Sequence, residues 1–167
     1  MSAAEKLAGG IDTFVDVVGR ATAWLALGLA LVMGANVLLR YGFSIGFIWA
    51  QELEWHIMVP LCLFGMSYAL LHGEHVRVDV LFQYFKPRTK HAVDIVAACL
   101  SMAFCVIVIW LSLPYVHQSW SIGEGTANPG GIDYRYVVKA LIPIGFAVLF
   151  LQSLSEAIKS SLKMRSA

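Results

Sequence analysis

Three groups of residues have the types and spacing for chemistry. The first is Trp49, Gln51, Glu52, Glu54, Trp55 and His56. Glu52 and His56 stand four apart, so on a helix they are neighbours, with Trp49 one turn earlier on nearly the same face. Such a cluster can anchor a helix at a membrane interface, make a specific polar contact, or hold a proton or an ion. The second group is His72-Gly-Glu-His75-Val-Arg77-Val-Asp79. Its His-x-x-His offers two metal ligands, but a structural zinc site normally takes four. The third is the set of five histidines, because paired histidines on helices can hold haem iron.

Haem does not suit the spacing. His56 and His117 would lie towards one side, His72 and His91 towards the other. From His56 to His72 is ~24 Å of helix and from His91 to His117 ~39 Å, so straight helices cannot form two axial pairs at matching depths. Cys62, Cys99 and Cys105 are odd in number, sit in apolar runs and show no metal spacing, so they are read as packing residues. No nucleophile set, phosphate loop or dinucleotide fingerprint is present. The expectation is a protein without enzymatic activity, cofactor or metal.

The elements that carry these residues follow from composition. Hydrophobic residues make up 59% of 167 and charged residues 14%, and mean hydropathy is +0.71. Soluble domains are about 45–50% apolar and about 25% charged. One domain of this size cannot hide so much apolar surface from water, so lipid must replace water. A net charge of +1 gives no basic face for nucleic acid.

Residues 21–39, 55–73, 95–123 and 140–155 contain no Asp, Glu, Lys or Arg. A spanning helix needs about 20 mainly apolar residues, and lipid-exposed backbone must bond to itself. The chain therefore reads as an all-α integral membrane protein, one membrane domain over residues 1–167. Four transmembrane helices are expected near 17–39, 49–71, 91–114 and 136–158, the third ending around Pro114. Val78, Leu81, Phe82 and Phe85 form an amphipathic stripe suited to a short interfacial segment between helices 2 and 3. Nine of the twelve basic residues fall on the side of the termini and second connection; Arg40, Arg135 and Lys139 fall on the other. Basic residues favour the cytoplasm, so both termini are expected inside. Ala26, Ala30 and Gly34 form a small-residue stripe on helix 1, repeated by Gly65 and Ala69 on helix 2. Such stripes admit a close helix, either within this chain or from another membrane protein.

Trp49-x-x-Glu52, Gly65, and Gly73-x-His75-x-x-x-Asp79 occur in this order, followed by Asn128-Pro-Gly-Gly-Ile-Asp-Tyr-Arg135-Tyr-x-x-Lys139-Ala-Leu-Ile-Pro143-x-Gly145-Phe. With four helices, this resembles the small membrane subunit, DctQ-like, of tripartite ATP-independent periplasmic (TRAP) transporters, over roughly residues 15–160. The resemblance implies a large membrane subunit, here a separate chain, that carries the substrate and sodium sites. It also implies a periplasmic substrate-binding protein, ion-driven uptake of an organic acid anion, and a bacterial inner-membrane location among membrane lipids. The small subunit would brace a static scaffold. On this reading Trp49, Glu52 and the third loop, with Asn128, Arg135 and Lys139, form an outer contact surface in which Arg40 pairs with Glu52. His75, Arg77 and Asp79 would form a polar network holding the inner loop. The rival readings are a membrane anchor of a redox complex and a self-contained small transporter.

Overall fold

A computed structural model of the chain describes residues 3–74 and 85–166. It contains four long helices: α1 Ala3–Phe43, α2 Ile48–His72, α3 Pro87–Ser121 and α4 Arg135–Ser166. Each is long and apolar enough to cross a membrane. Among the described residues there is no strand. The amphipathic stripe and the proposed His75, Arg77 and Asp79 network fall in residues 75–85, of which only Phe85 lies within the described residues.

α2 matches its expected span, and the other three helices overrun theirs. α1 has 41 residues and α3 has 35, about 62 and 52 Å of helix. The bilayer limits the length of the apolar run but not of the helix, which continues through charged residues into water. α3 also passes through Pro114, where the chain was expected to leave the helix, and ends at Ser121. Proline removes one backbone hydrogen bond. Unwinding in lipid would free several more, with nothing outside the chain to satisfy them.

Two helix ends are set by glycine. Gly73 has φ 72°, and the N–H groups of Gly73 and Glu74 donate to Leu70 O and Ala69 O. Gly123 has φ 59°, and the N–H groups of Gly123 and Glu124 donate to Trp120 O and Ser119 O. Both are Schellman closures, in which glycine takes the left-handed residue without a Cβ penalty.

α4 is the hub. α3 packs along it, α1 and α2 pack on each other, and both also touch α4. Buried side chains are mostly small or polar: Ala8, Thr22, Ser67, Ala98, Ser119, Ser153 and Ser155 among them. Large apolar side chains such as Trp24, Leu31, Leu100, Phe104 and Trp110 face outward. Lipid tails are as apolar as leucine, so helices associate through close shape and polar bonds instead. Cys105 is buried, whereas Cys62 and Cys99 are exposed, which corrects their reading as packing residues.

Close approach needs glycine at two points. A Cβ on Gly19 would lie 2.0 Å from the Tyr68 ring and 2.8 Å from its Cβ, and one on Gly145 would lie 2.6 Å from the Leu63 Cβ. Gly28, Gly34 and Gly65 have nothing within 4 Å of such a Cβ, and Ala26 and Ala30 are exposed. The helix 1 stripe therefore faces away from the chain.

Gly19→Ala should destabilise the protein by about 1–3 kcal/mol through overpacking. Gly28→Ala should instead stabilise it by up to ~1 kcal/mol, since glycine inside a helix costs about that much. Thermal unfolding of the full chain in detergent would show the opposite signs; equal shifts would contradict the assigned packing.

Candidate functional site

The most developed polar site lies where α2 begins. The Glu52 residue is 2% exposed. Its Oε1 accepts from Thr126 Oγ1 at 2.6 Å, Asn128 Nδ2 at 2.9 Å and Arg135 Nη2 at 3.4 Å. Its Oε2 accepts from the Ile132 backbone N–H at 2.7 Å. A buried carboxylate is costly unless donors replace its water. Here the 13 residues between α3 and α4 bend over it to supply three donors, and the first residue of α4 supplies the cation.

The loop bonds to itself around this carboxylate. The Asn128 N–H donates to Thr126 Oγ1 at 3.2 Å, the Thr126 N–H to Asp133 Oδ1 at 3.3 Å, and the Gly131 N–H to Asn128 O at 3.1 Å. At Gly131 a Cβ would lie 2.5–2.8 Å from the three carboxylate atoms of Glu52, so no larger residue fits there. Tyr134 takes φ 64° just before α4. The left-handed region costs an ordinary residue about 1–2 kcal/mol, and the bonds on either side of Tyr134 hold it there.

A second tie lies beside the first. Lys139 Nζ donates to Glu124 Oε2 at 2.5 Å and sits 4.1 Å above the centre of the Tyr115 ring. The Schellman closure at Gly123 presents Glu124 to it. The Lys139 hydrogen bond holds the Glu124 carboxyl below its ordinary value of 4.5. The tie is therefore complete above the ordinary value and is lost as pH falls through the lowered one.

Arg40 does not pair with Glu52, contrary to expectation. With the Gln51 amide oxygen facing it, Arg40 donates to Gln51 from both terminal nitrogens at 3.1 and 3.3 Å. Arg135 takes the Glu52 pairing, because α4 starts directly over the carboxylate while Arg40 sits exposed near the end of α1. His56 Nδ1 lies 2.6 Å from the Glu52 backbone oxygen, so the ring is held by the helix rather than by the carboxylate. Trp49 is exposed beside Phe47, with ring centroids 5.9 Å apart. Asn36 Nδ2 donates to Glu54 at 3.0 Å, linking α1 to α2 at the same end.

A third tie stands at the opposite end. Asp12 of α1 accepts from Ser155 at 2.6 Å, Gln152 at 3.2 Å and Lys159 at 3.0 Å, all on α4. Lys159 also meets Glu156, three residues earlier on the same helix, at 2.6 Å. Asp16 faces Arg20 at 2.9 Å and His72 at 3.4 Å. Sequence reasoning missed Asp12 altogether. Its only local signal is an acidic residue on the buried Ala8–Val15–Thr22 face of α1.

Gly131→Ala should lower the melting temperature through its clash with Glu52. The same change made in an E52A background should cost much less, because the clashing carboxylate is gone. Thermal unfolding of the four chains of this cycle tests the contact; additive costs would contradict it.

Residues 29–163 match the family model of the tripartite ATP-independent periplasmic transporters, DctQ component. The chain is 24% identical to the ectoine TRAP transporter small permease protein TeaB of Halomonas elongata, over 91% of this chain and 78% of that one. It is 26% identical to the C4-dicarboxylate TRAP transporter small permease protein DctQ of Vibrio cholerae, over 77% of this chain and 64% of the relative's length. A putative TRAP transporter small permease protein of Haemophilus influenzae is 25% identical over 76% and 79%. Four apolar helices and relatives that are permease subunits make this a multi-pass protein of the inner membrane. The chain belongs to the DctQ component family of the tripartite ATP-independent periplasmic transporters.

Proposed function

We propose that the chain is the small permease subunit of a TRAP-type secondary transporter. It serves as a scaffold partner of a separate large membrane subunit in ion-gradient-driven uptake. The substrate is an organic acid anion delivered by a periplasmic binding protein. One observation carries the scaffold role: three buried or half-buried carboxylates are used in ties within the chain, Glu52 to Arg135, Glu124 to Lys139 and Asp12 to Lys159. Ties of this kind brace helices and leave large apolar faces for lipid and a partner. Intramembrane charges in a transport pathway instead face a cavity or exchange partners.

The names of the relatives support a role that does not select substrate. Two of them, at 24% and 26% identity, are named for different compounds, ectoine and C4-dicarboxylate. Both termini are cytoplasmic on this reading, since nine of twelve basic residues then lie inside. The Glu52 knot then faces the periplasm and the Asp12 tie the cytoplasm. Glu52 itself is turned into the chain. The outer contact surface is accordingly the loop that Glu52 holds, flanked by Trp49, and the exposed Ala26–Ala30–Gly34 stripe adds close contact within the bilayer.

Gly34→Leu should leave the melting temperature of the isolated chain nearly unchanged and sharply reduce co-purification with a co-expressed large membrane subunit. Glu52→Ala should lower the uptake rate without changing which substrate is accepted. A changed substrate preference, or flux through this chain reconstituted alone, would contradict the scaffold role.

A further inference from the structure

α2 and α3 both lean on α4 but scarcely touch each other. A groove therefore runs between them with α4 as its floor. Its outer section, about 340 Å³, is almost wholly apolar, with Met58, Cys62, Leu63 and Ile142 in its walls. Its inner section, about 420 Å³, is different. One end is lined by His91, Asp94, Glu156 and Lys163, while Met66, Leu70, Ala97 and Leu149 line the rest.

We propose that this inner section binds one phospholipid with a primary-ammonium headgroup, of the phosphatidylethanolamine type. Three observations converge on that ligand. The first is depth. Asp94 and Glu156 border the charge-free stretches 95–123 and 140–155, so they stand at the edge of the hydrocarbon. The cleft continues inward along α3 to Ser101, about 10 Å deeper. A headgroup would sit at Asp94 and an acyl chain beyond it.

The second is charge. The polar end carries both signs, as a zwitterionic headgroup does. Lys163 and the Ser160 hydroxyl offer donors for a phosphate, and Asp94 offers an acceptor for an ammonium. The third is an unmet bond. His91 Nδ1 is buried without a hydrogen-bond partner and lies 4.0 Å from Asp94 Oδ2, too far for a direct bond. Asp94 Oδ2 can instead accept an N–H bond from a primary ammonium about 2.8 Å away. A quaternary choline ammonium has no N–H and cannot supply that bond.

An acyl chain enters sideways through the gap between α2 and α3. This inference requires only that the chain lies in a membrane, and it stands or falls apart from the transport reading.

The full-length chain, extracted from membranes in mild detergent, would be incubated with equal amounts of dioleoyl phosphatidylethanolamine, phosphatidylglycerol and phosphatidylcholine. Native mass spectrometry would then count retained lipids. The expected result is one phosphatidylethanolamine per chain, at least tenfold over phosphatidylcholine. Ala97 is exposed in the cleft wall, so Ala97→Phe should fill the cleft and cut retention at least tenfold at an unchanged melting temperature. Asp94→Asn should reduce phosphatidylethanolamine to the phosphatidylcholine level. Equal retention of the three lipids by the unmodified chain would overturn the proposal without relying on any variant. Full retention in both variants would overturn it as well.

Discussion

A carboxylate buried at the mouth of a membrane helix is the constraint around which the outer half of this protein is organised. Glu52 has lost nearly all contact with water, and lipid offers it nothing. Its four donors come from two hydroxyl or amide side chains, one backbone N–H and one guanidinium, all distant in sequence. Meeting them requires the α3–α4 loop to curl tightly, Gly131 to lack a side chain, and α4 to begin at Arg135. A glycine- and proline-rich segment with little packing of its own thereby acquires one shape. The Lys139–Glu124 pair, placed by the Gly123 closure, fastens the same loop a second time.

The remainder of the bundle repeats this logic with fewer parts. Asp12 draws Ser155, Gln152 and Lys159 of α4 against α1 at the far end. Between the two polar ends the helices meet mainly through shape, at Gly19 against Tyr68 and Gly145 against Leu63, with the Ser101 and Ser153 hydroxyls paired at 2.8 Å between α3 and α4. In a soluble domain this waist would be a thick apolar core driven together by water. In lipid that drive is absent, so small residues set distance and polar ties set partners. The large apolar side chains are left facing outward. On the proposed reading that surface meets lipid and a partner subunit, while the polar ties keep the fold intact.

Sequence legibility followed the physics of each feature. The gaps in charge located four crossings because the cost of charge in hydrocarbon is large and local. They understated α1, α3 and α4 because helicity persists where the bilayer ends. Pro114 suggested a stop, yet unwinding in lipid costs more than one missing bond. Glu52 stood out, being an acid at the head of an apolar run, but its partner did not. Arg40 was the nearer cation along the chain, and only the fold brings Arg135 above the carboxylate. Asp12 was invisible for the same reason, with partners 140 and more residues away. The Ala26–Ala30–Gly34 stripe was legible as a close-contact surface, while its direction, away from the chain, required the structure.

Hydrogen exchange at the Ile132 amide tests the central constraint most directly. This N–H lies in an irregular loop and donates to Glu52 Oε2 at 2.7 Å. If the carboxylate organises the loop, Ile132 exchanges far more slowly than an unstructured peptide, and Glu52→Ala restores rapid exchange there while the middle of α3 stays protected. Rapid exchange at Ile132 in the unmodified protein would mean that the loop is not held by Glu52, and the constraint would have to be sought elsewhere.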